Sequence, residues 1–525
     1  MKLLLFDKIK KLVSLDKKPT LLLLLLLLIT FISRFLLVFE GIIPFSFDHG
    51  KDSLAILHMF KTRTPSLIGP WTSIPGLFFG PGWYYLLLPF FILGGFSPVS
   101  AVWPMVLLLL IQVFLMYRYL SKWGALIVAT APYWFTISTS AWNPFPMSLI
   151  SMVLMILLHK LRCDKNNSAK LFFWLGVGVS LGFHFSSAYA IFYPFIILFV
   201  LIIWKIKFWS LRKLLAMTGG FILPFVPQLL FELRHVFVQT NAIISYFLSP
   251  KVSTAPTFLH NFLLIVKNTW GEISLSFLPE IRGLPSAITA YTQLFLSIFT
   301  VLLAVKNRVW QTSKIRDAMV MVIAFVIIPL IGFQFLHFNI WYLVGMMPAA
   351  VYLVAQIIKT MPKWLKLSWA SVLIVGAVSI VLNFHVIDKF EHRDNWVFMP
   401  VKIQAINTIR TIADDRPFSS YHYSRYLYDF SYQYLYLADS FQGKQLPVEF
   451  AYEPGVVPYV TQKAALLDVL NDSVSTQQEA ELIFYIVEEP ENEEFLEQWW
   501  DRQQFSQIIQ EISLSDSVKL FVAEP

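Results

Sequence analysis

The amino-acid sequence predicts an α-helical membrane protein with many spans, followed by a small α/β domain outside the bilayer. Of the 525 residues, 57% are hydrophobic and only 14% are charged, and the mean hydropathy of +0.62 exceeds that of soluble domains. Charge is also divided along the chain. Residues 1–386 hold 31 Lys and Arg against 10 Asp and Glu, whereas residues 387–525 hold 10 against 23. This division predicts a basic membrane domain over 1–386 and an acidic, water-exposed domain over 387–525.

Basic loops set the predicted topology, because loops rich in Lys and Arg stay on the cytoplasmic side of a membrane. The Lys-rich residues 1–18 precede the first span and place the amino terminus in the cytoplasm. Five later basic loops follow the same rule, at 118–122, 159–170, 205–213, 306–316 and 359–366. About eleven spans satisfy it. They are roughly 20–39, 99–117, 123–141, 144–160, 171–188, 189–206, 214–233, 286–305, 318–336, 339–357 and 366–386. The odd number places residues 387–525 on the outer side.

Two long loops face the outside in this topology, at residues 40–98 and 234–285. In the first loop, residues 83–96 (WYYLLLPFFILGGF) are apolar but shorter than the roughly 20 residues of a straight span. A span there would also invert every later basic loop, so we expect a helix that lies in the outer leaflet. In the second loop, the stretch LHNFLLIVKNTWGEISLSF suits another surface-lying amphipathic helix.

Residues 387–525 are expected to fold as a small α/β domain. Helical patterns near 400–413 and 427–438 alternate with strand-like runs at 482–489 (LIFYIVEE) and 518–524 (VKLFVAE). A solvated acidic face is the expected surface. The domain either binds a substrate or only caps the membrane domain.

Several function classes are excluded or disfavoured. The single cysteine, Cys163, excludes an intramolecular disulfide and a cysteine-based metal site. No glycine motif for nucleotides is present. The basic excess is explained by cytoplasmic loops, so it indicates the lipid bilayer as a partner and no nucleic acid.

Carboxylates that face outward are few. Residues 1–386 contain ten, and the topology places four of them in the cytoplasm: Asp7, Asp16, Asp164 and Asp317. The outward six are Glu40, Asp48, Asp52, Glu232, Glu272 and Glu280. A general base working at the outer face is therefore expected among these six.

The first loop contains a cluster of charged side chains, although only 14% of the residues in the protein are charged. Asp48 and Asp52 are four residues apart and share one face if the segment is helical. Cationic side chains would keep such a carboxylate ionised and hold a phosphate. Lys51 lies between the two aspartates, and His58, Lys61 and Arg63 follow them. The alternative is that Asp48 only caps a surface helix, and the two roles are compatible.

Each of the other candidate binding residues also has a structural alternative. Glu232, Arg234 and His235 close the seventh span and suit either a polar head group or a local ion pair. Asn143 belongs to an outer turn. His184, His337 and Tyr342 lie at outer helix ends, where a helix–helix hydrogen bond is the commoner role. Arg34 lies within the first span, where an ionisable group usually lines a cavity.

The order of these motifs resembles the GT-C class of membrane glycosyltransferases, which includes the lipid A aminoarabinose transferase and the protein O-mannosyltransferases. The similarity is to a bacterial branch of that class. It is carried by FDHGKD in the first loop, the following LIGPWTSIPGLFFGPGWYYLLLP, the AWNP turn and FELRH. It covers residues 20–386 in arrangement, and the acidic outer domain also suits the class.

The resemblance implies a sugar donor on a polyprenyl phosphate and a lipid, glycan or protein acceptor. An aspartate of the first outer loop lies near the acceptor hydroxyl in such enzymes, and that position is Asp48 here, with Asp52 second. The implied reaction is one inverting displacement, with Lys51, Lys61, Arg63 and Arg234 at the phosphate. Many relatives carry an acidic pair where His49 follows Asp48, so a divalent metal is allowed but not required.

One alternative function comes from another class. A transporter or flippase of lipid-linked saccharide would also bind such a lipid. It predicts inverted repeats and polar groups near the bilayer midplane, whereas the polar residues here concentrate at the outer face and no repeat is visible. We therefore expect an integral protein of the cell membrane that acts as a glycosyltransferase.

Overall fold

The structure is a computed structural model. It describes residues 20–164, 168–248, 258–280, 291, 298, 311–336, 338–425, 428–455, 459–471 and 479–525. The predicted cytoplasmic segment 1–18 and nearly all of the predicted span 286–305 lie outside the described residues.

The first half of the chain contains both long helices and short ones. They are α1 (Leu21–Val38), α2 (Phe47–Lys61), α3 (Gly82–Leu93), α4 (Val102–Leu115), α5 (Lys122–Thr130), α6 (Pro132–Thr139), α7 (Met147–Cys163), α8 (Ala169–Gly182), α9 (Ser187–Ala190), α10 (Tyr193–Ile203), α11 (Leu211–Arg234), α12 (Val238–Leu248) and α13 (Phe258–Leu275). A 3₁₀ turn (Pro98–Ala101) precedes α4, and a π-helical turn (Met116–Leu120) follows it.

The remaining helices complete the membrane domain and begin the carboxyl-terminal domain. They are α14 (Ser313–Val322), α15 (Ile328–Gly332), α16 (Met347–Thr360), α17 (Lys363–Asn383), α18 (Lys389–Arg393), α19 (Met399–Ala413), α20 (Phe430–Ser440), α21 (Lys463–Asn471) and α22 (Glu493–Trp500). A π-helical turn (Ile323–Ile327) joins α14 to α15, a second one (Phe384–Asp388) joins α17 to α18, and a 3₁₀ turn (Ile340–Met346) leads into α16.

The chain is a polytopic membrane protein. Among the described residues, six continuous helical segments are long and apolar enough to cross a bilayer. They are Leu21–Val38, Pro98–Leu120, Leu211–Arg234, Ser313–Gly332, Ile340–Thr360 and Lys363–Arg393. Each overlaps a predicted span. The full number of eleven spans stays a prediction, because other predicted spans fall on shorter helices.

The predicted span 123–141 shows why the number of spans is harder to predict than the position of an apolar run. Ala131 has an extended backbone, with φ −75° and ψ 149°, and separates α5 from α6. Pro132 follows at the first position of α6, where its missing N–H costs nothing. A residue before proline avoids the helical region. One apolar run therefore folds as two short helices.

Close packing in the membrane domain depends on small residues. A side chain on Gly176 would lie 2.0 Å from the carbonyl oxygen of Met217, and one on Gly220 would lie 2.0 Å from that of Phe173. The backbones of α8 and α11 therefore touch, as small residues allow in membrane helix pairs.

The carboxyl-terminal domain contains one five-stranded sheet, in the order β2-β1-β3-β5-β4. Its strands are β1 (Phe418–Tyr423), β2 (Phe450–Ala451), β3 (Leu482–Glu488), β4 (Gln507–Ser515) and β5 (Val518–Glu524). The first three pair in parallel through helical crossovers, and β5 pairs antiparallel with β3 and β4. The predicted strands at 482–489 and 518–524 and the predicted helix at 400–413 are confirmed, as is the predicted fold class.

The carboxyl-terminal domain is joined to the first long loop by backbone pairing. The amide of Phe45 donates to the carbonyl of Val397 over 2.8 Å, and the amide of Met399 donates to that of Ile43 over 2.9 Å. Helix α20 then packs on α2. A side chain on Gly50 of α2 would lie 2.4 Å from the amide nitrogen of Ser431 on α20, so the two helices need glycine there.

Candidate functional site

Helix α2 carries the polar cluster of the first loop. Ser46 and His49 form a capping box at its amino end, with the amide of Ser46 donating to Nδ1 of His49 over 3.3 Å. Ser46 is therefore the N-cap, and Asp48 is not. Asp48 lies instead in the first turn, where the helix dipole favours a negative charge. The structural alternative for Asp48, a simple cap, does not apply.

Asp48 and Lys51 form an ion pair one helical turn apart. Nζ of Lys51 lies 2.8 Å from Oδ1 of Asp48, and the Asp48 side chain keeps 30% of its surface exposed while that of Lys51 keeps 9%. Lys51 also lies 4.8 Å from the ring centre of Trp71. The pair therefore offers one accessible carboxylate next to one positioned cation.

Asp52 has a different environment from Asp48 although both lie on α2. Its side chain is buried, and the indole N–H of Trp83 on α3 donates to its Oδ2 over 2.7 Å. Its Oδ1 makes no hydrogen bond of 3.5 Å or less among the described residues, although the nearby Tyr84 hydroxyl favours the ionised form and lowers the pKa of Asp52. Burial raises the pKa of Asp52 to about 7, against the opposing effect of Lys51. Asp52 is thus a carboxyl group poised to be neutral or ionised near pH 7.

His49 lies beside Asp52 and is neutral. Because its Nδ1 accepts the Ser46 amide, the proton resides on Nε2, which lies 3.4 Å from the hydroxyl of Ser140. Burial lowers the pKa of His49 to about 4. His49 and Asp52 line a cavity of about 10 Å³, which has room for about one water molecule and excludes a sugar. Of the two aspartates, Asp48 is therefore the one that keeps an exposed side chain.

Aromatic residues from the carboxyl-terminal domain complete the surroundings of Lys51. The ring of Trp71 lies 5.8 Å from that of Phe430 and 6.4 Å from that of Tyr428. Trp71 and Tyr428 each keep more than 40% of their surface exposed. Tyr434 of α20 is fully buried against Phe45. The ion pair thus lies at the junction of both domains.

The other polar residues of the cluster lie at the far end of α2. Lys61 is thirteen positions after Asp48 on α2, and a helical rise of about 1.5 Å per residue places the two about 20 Å apart. Lys61 and Arg63 line a separate cavity of about 600 Å³. His58 is half-buried, which lowers its pKa. The structure therefore does not bring Lys61 and Arg63 together with Asp48.

His184 holds the first loop against two membrane helices. Its Nδ1 accepts the amide of Gly82 over 2.9 Å, and its Nε2 donates to the carbonyl of Pro224 over 3.1 Å. A side chain on Gly80 would lie 2.3 Å from Nδ1, so the GPG sequence at 80–82 makes room for the ring. His184 is buried, and this arrangement supports a positioning role.

Glu232 is a local cap. Its carboxylate accepts the amides of Gln239 and Thr240, both over 2.9 Å, and the Thr240 hydroxyl over 2.6 Å. Arg234 and His235 are exposed, and the His235 ring stacks 4.1 Å from Phe231. Glu232 therefore turns the chain from α11 into α12.

Three predicted residues lie at other helix ends. The side-chain amide of Asn143 donates to the carbonyl of Phe185 over 2.8 Å and so fixes the turn after α6. The hydroxyl of Tyr342 accepts from Asn339 over 3.3 Å. His337 lies outside the described residues.

Arg34 stabilises the break between α5 and α6. Its side chain is fully buried, its Nη1 donates to the carbonyl of Ala129 over 2.6 Å, and its Nε donates to the hydroxyl of Ser138 over 3.3 Å. Its guanidinium lies 3.6 Å from the ring centre of Phe135. The last carbonyl groups of a helix need hydrogen-bond donors from elsewhere. Arg34 supplies one to the end of α5.

One constellation in the carboxyl-terminal domain has the connectivity of a nucleophilic triad. Nδ1 of His422 lies 2.6 Å from Oδ2 of Asp429, and its Nε2 lies 3.0 Å from the hydroxyl of Ser420. All three side chains are fully buried, and Tyr436 donates to Ser420 over 3.0 Å. No substrate reaches a sealed hydroxyl, so this network stabilises the sheet.

Sequence reasoning did not identify Trp83, Trp71 or the residues of α20. Trp83 lies in an apolar run, where an aromatic residue carries no distinct signal. Tyr434 lies more than 350 residues after α2 in the sequence, and only the fold brings them together. Among the described residues, no group of three or more His, Cys, Asp and Glu side chains has the geometry to hold a metal ion.

Two crystal structures of ArnT from Cupriavidus metallidurans have similar folds. The structure bound to undecaprenyl phosphate matches with a TM-score of 0.60 at 11% sequence identity, covering 96% of this chain and 99% of that one. The apo structure matches with a TM-score of 0.57 at 10% identity, covering 96% and 98%. No protein-family model and no curated protein sequence matches the chain. The likeness is therefore one of fold, over nearly the full length.

Proposed function

Because this chain has the GT-C fold of ArnT, we propose that it is a glycosyltransferase that moves a sugar from a polyprenyl-phosphate carrier to an acceptor hydroxyl. The reaction takes place at the outer face of the cell membrane, with the amino terminus in the cytoplasm and the carboxyl-terminal domain outside. The undecaprenyl phosphate bound to ArnT supports a polyprenyl phosphate as carrier here.

The ion pair between Asp48 and Lys51 is the observation that carries this proposal. It combines an accessible carboxylate with a cation 2.8 Å away, both fixed on a capped helix against the membrane domain. An acceptor hydroxyl needs a base, and a leaving phosphate needs a cation. This pair supplies the base and the cation at a separation shorter than one sugar ring.

The reaction follows as a single displacement. Asp48 accepts the proton of the acceptor hydroxyl while that oxygen attacks the anomeric carbon. The bond from the anomeric carbon to the phosphate oxygen breaks, and polyprenyl phosphate leaves with the electron pair. Lys51 stabilises the developing phosphate charge. The configuration at the anomeric carbon is inverted.

Asp52 is the positioning residue in this scheme. Its bond from Trp83 joins α2 to α3, and its burial keeps it away from the acceptor. Lys61 lies about 20 Å from Asp48 along α2, and Arg63 lines the same cavity as Lys61, so the donor phosphate is assigned to Lys51. Arg234 is exposed beyond the end of α11 and stays a second candidate contact.

Transfer from radiolabelled undecaprenyl-phosphate monosaccharides in membranes that contain the full chain tests the proposal. We expect Asp48→Asn to lower transfer at least about 100-fold, the usual contribution of a general base. Asp501→Asn, on an exposed carboxylate of the carboxyl-terminal domain, is the matched control and should transfer normally. Unchanged turnover in both Asp48→Asn and Asp52→Asn would exclude the assignment. Movement of the labelled lipid across the membrane without transfer would favour a flippase instead.

A further inference from the structure

A second cavity lies at the carboxyl end of α2. Its volume is about 600 Å³, and apolar or aromatic side chains of Met59, Phe60, Tyr85 and Leu88 form much of its lining. Phe60 keeps 40% of its surface exposed and Tyr85 keeps 41%. Exposed aromatic residues beside apolar ones are typical of the membrane–water interface.

Two cations, Lys61 and Arg63, share this lining. Neither forms an ion pair with a carboxylate in the part of the chain that the structure describes. Nζ of Lys61 lies instead 4.1 Å from the ring centre of Phe441 and 5.9 Å from that of Phe96. Lys61 is half-buried, whereas Arg63 is exposed. A half-buried cation without a counter-ion is costly, and a bound anion would offset that cost for Lys61.

Helix stability accounts for only part of this arrangement. A cation in the last turn of a helix interacts favourably with the helix dipole, and Lys61 ends α2. That interaction requires neither a cavity nor a cation beyond the helix end. Arg63 lies beyond the end with φ +56°, a left-handed conformation usually taken by glycine. The cavity and its second cation therefore indicate a ligand.

The site is separate from the proposed reaction centre. Asp48 lies about 20 Å from Lys61 along α2. In a sugar phosphate only one oxygen separates the phosphorus from the anomeric carbon, so a single donor molecule cannot place its phosphate here and its anomeric carbon at Asp48.

We propose that this cavity binds a phospholipid of the surrounding membrane by its phosphate head group. Lys61 and Arg63 bind the phosphate, Arg63 through its planar donor fork. Met59, Phe60, Tyr85 and Leu88 contact the apolar part of the molecule. A small free anion would gain nothing from contact with these apolar side chains, whereas the acyl chains of a lipid would, so the proposed ligand is a lipid. Basic pockets at membrane protein surfaces bind lipid head groups in this way.

Lipid binding can be measured without any transfer reaction. The full chain in detergent is titrated with dioleoyl phosphatidylglycerol, and bound lipid is counted by native mass spectrometry. Dioleoylglycerol, which has the same chains and no phosphate, and inorganic phosphate are titrated in parallel. The variants are Lys61→Gln/Arg63→Gln, and Arg63→Gly, whose glycine accepts the left-handed backbone. Lys205→Gln is the matched control, because Lys205 is an exposed cation with φ +53° just beyond the end of α10.

We expect saturable binding of phosphatidylglycerol that the double variant weakens at least about 10-fold, since each charged hydrogen bond contributes on that scale. Arg63→Gly should weaken it less, and Lys205→Gln should leave it unchanged. Equal affinity in the double variant and the unaltered chain would overturn the proposal. So would binding of dioleoylglycerol, or of inorganic phosphate, as tight as that of phosphatidylglycerol.

Discussion

The indole N–H of Trp83 donates to Oδ2 of Asp52 over 2.7 Å, and both side chains are buried. This bond crosses from α3 to α2, so it joins the two helices of the first long loop. It satisfies one oxygen of a buried carboxyl group whose other oxygen makes no hydrogen bond of 3.5 Å or less among the described residues. A neutral carboxyl suits such a place better than a carboxylate.

The stability of the protein should therefore depend on Asp52 in a definite pH range. Burial raises the pKa of Asp52 to about 7, whereas an unfolded aspartate titrates near about 3.9. The folded state holds the proton to higher pH, so stability falls as the pH rises from about 4 to about 7. Asp52→Asn stays neutral throughout. We expect its Tm to exceed that of the unaltered protein at pH 8 and to equal it near pH 4. A lower Tm than the unaltered protein at pH 8 would contradict this interpretation.

Lys51 should matter through its charge. Lys51→Gln removes the partner of Asp48 and the cation assigned to the phosphate, and we expect kcat/KM to fall about 10- to 100-fold. Lys51→Arg keeps the charge and should restore most of the activity. Lys519→Gln breaks an exposed ion pair of similar length, 2.9 Å to Glu511, and serves as the control. If Lys51→Gln loses no more activity than Lys519→Gln, Lys51 has no role at the phosphate.

The contact between α2 and α20 should tolerate no side chain at Gly50. Because the added carbon would lie 2.4 Å from the amide nitrogen of Ser431, Gly50→Ala must shift one helix, at a cost of about 1–3 kcal/mol. Gly219→Ala is the matched change, since that helical position has nothing within 4 Å. It should gain about 0.5–1 kcal/mol. Thermal unfolding in detergent measures both, and a Tm for Gly50→Ala equal to that of Gly219→Ala would show that the helices do not pack this closely.

Arg63→Gly should stabilise the protein while removing a charge. Arg63 has φ +56°, which costs roughly 1–2 kcal/mol for a residue with a side chain. The greater freedom of glycine in the unfolded chain offsets about 0.4–1 kcal/mol of that gain. A net rise in Tm is expected, and Lys205→Gly, at φ +53°, should show the same rise. A fall in Tm for Arg63→Gly alone would mean that the arginine side chain holds the loop together.

The sequence pattern was most informative where structure is local. Hydrophobic runs located the long helices, and strand-like runs at 482–489 and 518–524 located β3 and β5. The cluster around Asp48 was found because charge is rare in the rest of the membrane domain. Spacing alone did not show that α2 continues without a break from Phe47 to Lys61. That continuous helix places Lys61 far from Asp48, although both belong to the same loop in the sequence.

Contacts between residues far apart in the sequence could not be predicted from the hydrophobic and charge patterns. The partner of Asp52 is an indole in an apolar run, and the partners of His184 are backbone groups of Gly82 and Pro224. Neither relationship leaves a periodic signal. Pro132 marks the break at Ala131 in the sequence, but the donors that Arg34 supplies from another helix leave no signal in the apolar run.

The pairing of Phe45 with Val397 also constrains how the protein is made. About 350 residues separate the two, and at 5–20 residues per second a ribosome needs roughly 20–70 s to add them. Throughout that time the loop that carries Asp48 exists without residues 397–399 and helix α20, against which it packs. The proposed catalytic centre is therefore among the last parts of the molecule to be completed, and a nascent chain halted before Val397 is expected to be inactive even with every membrane span in place.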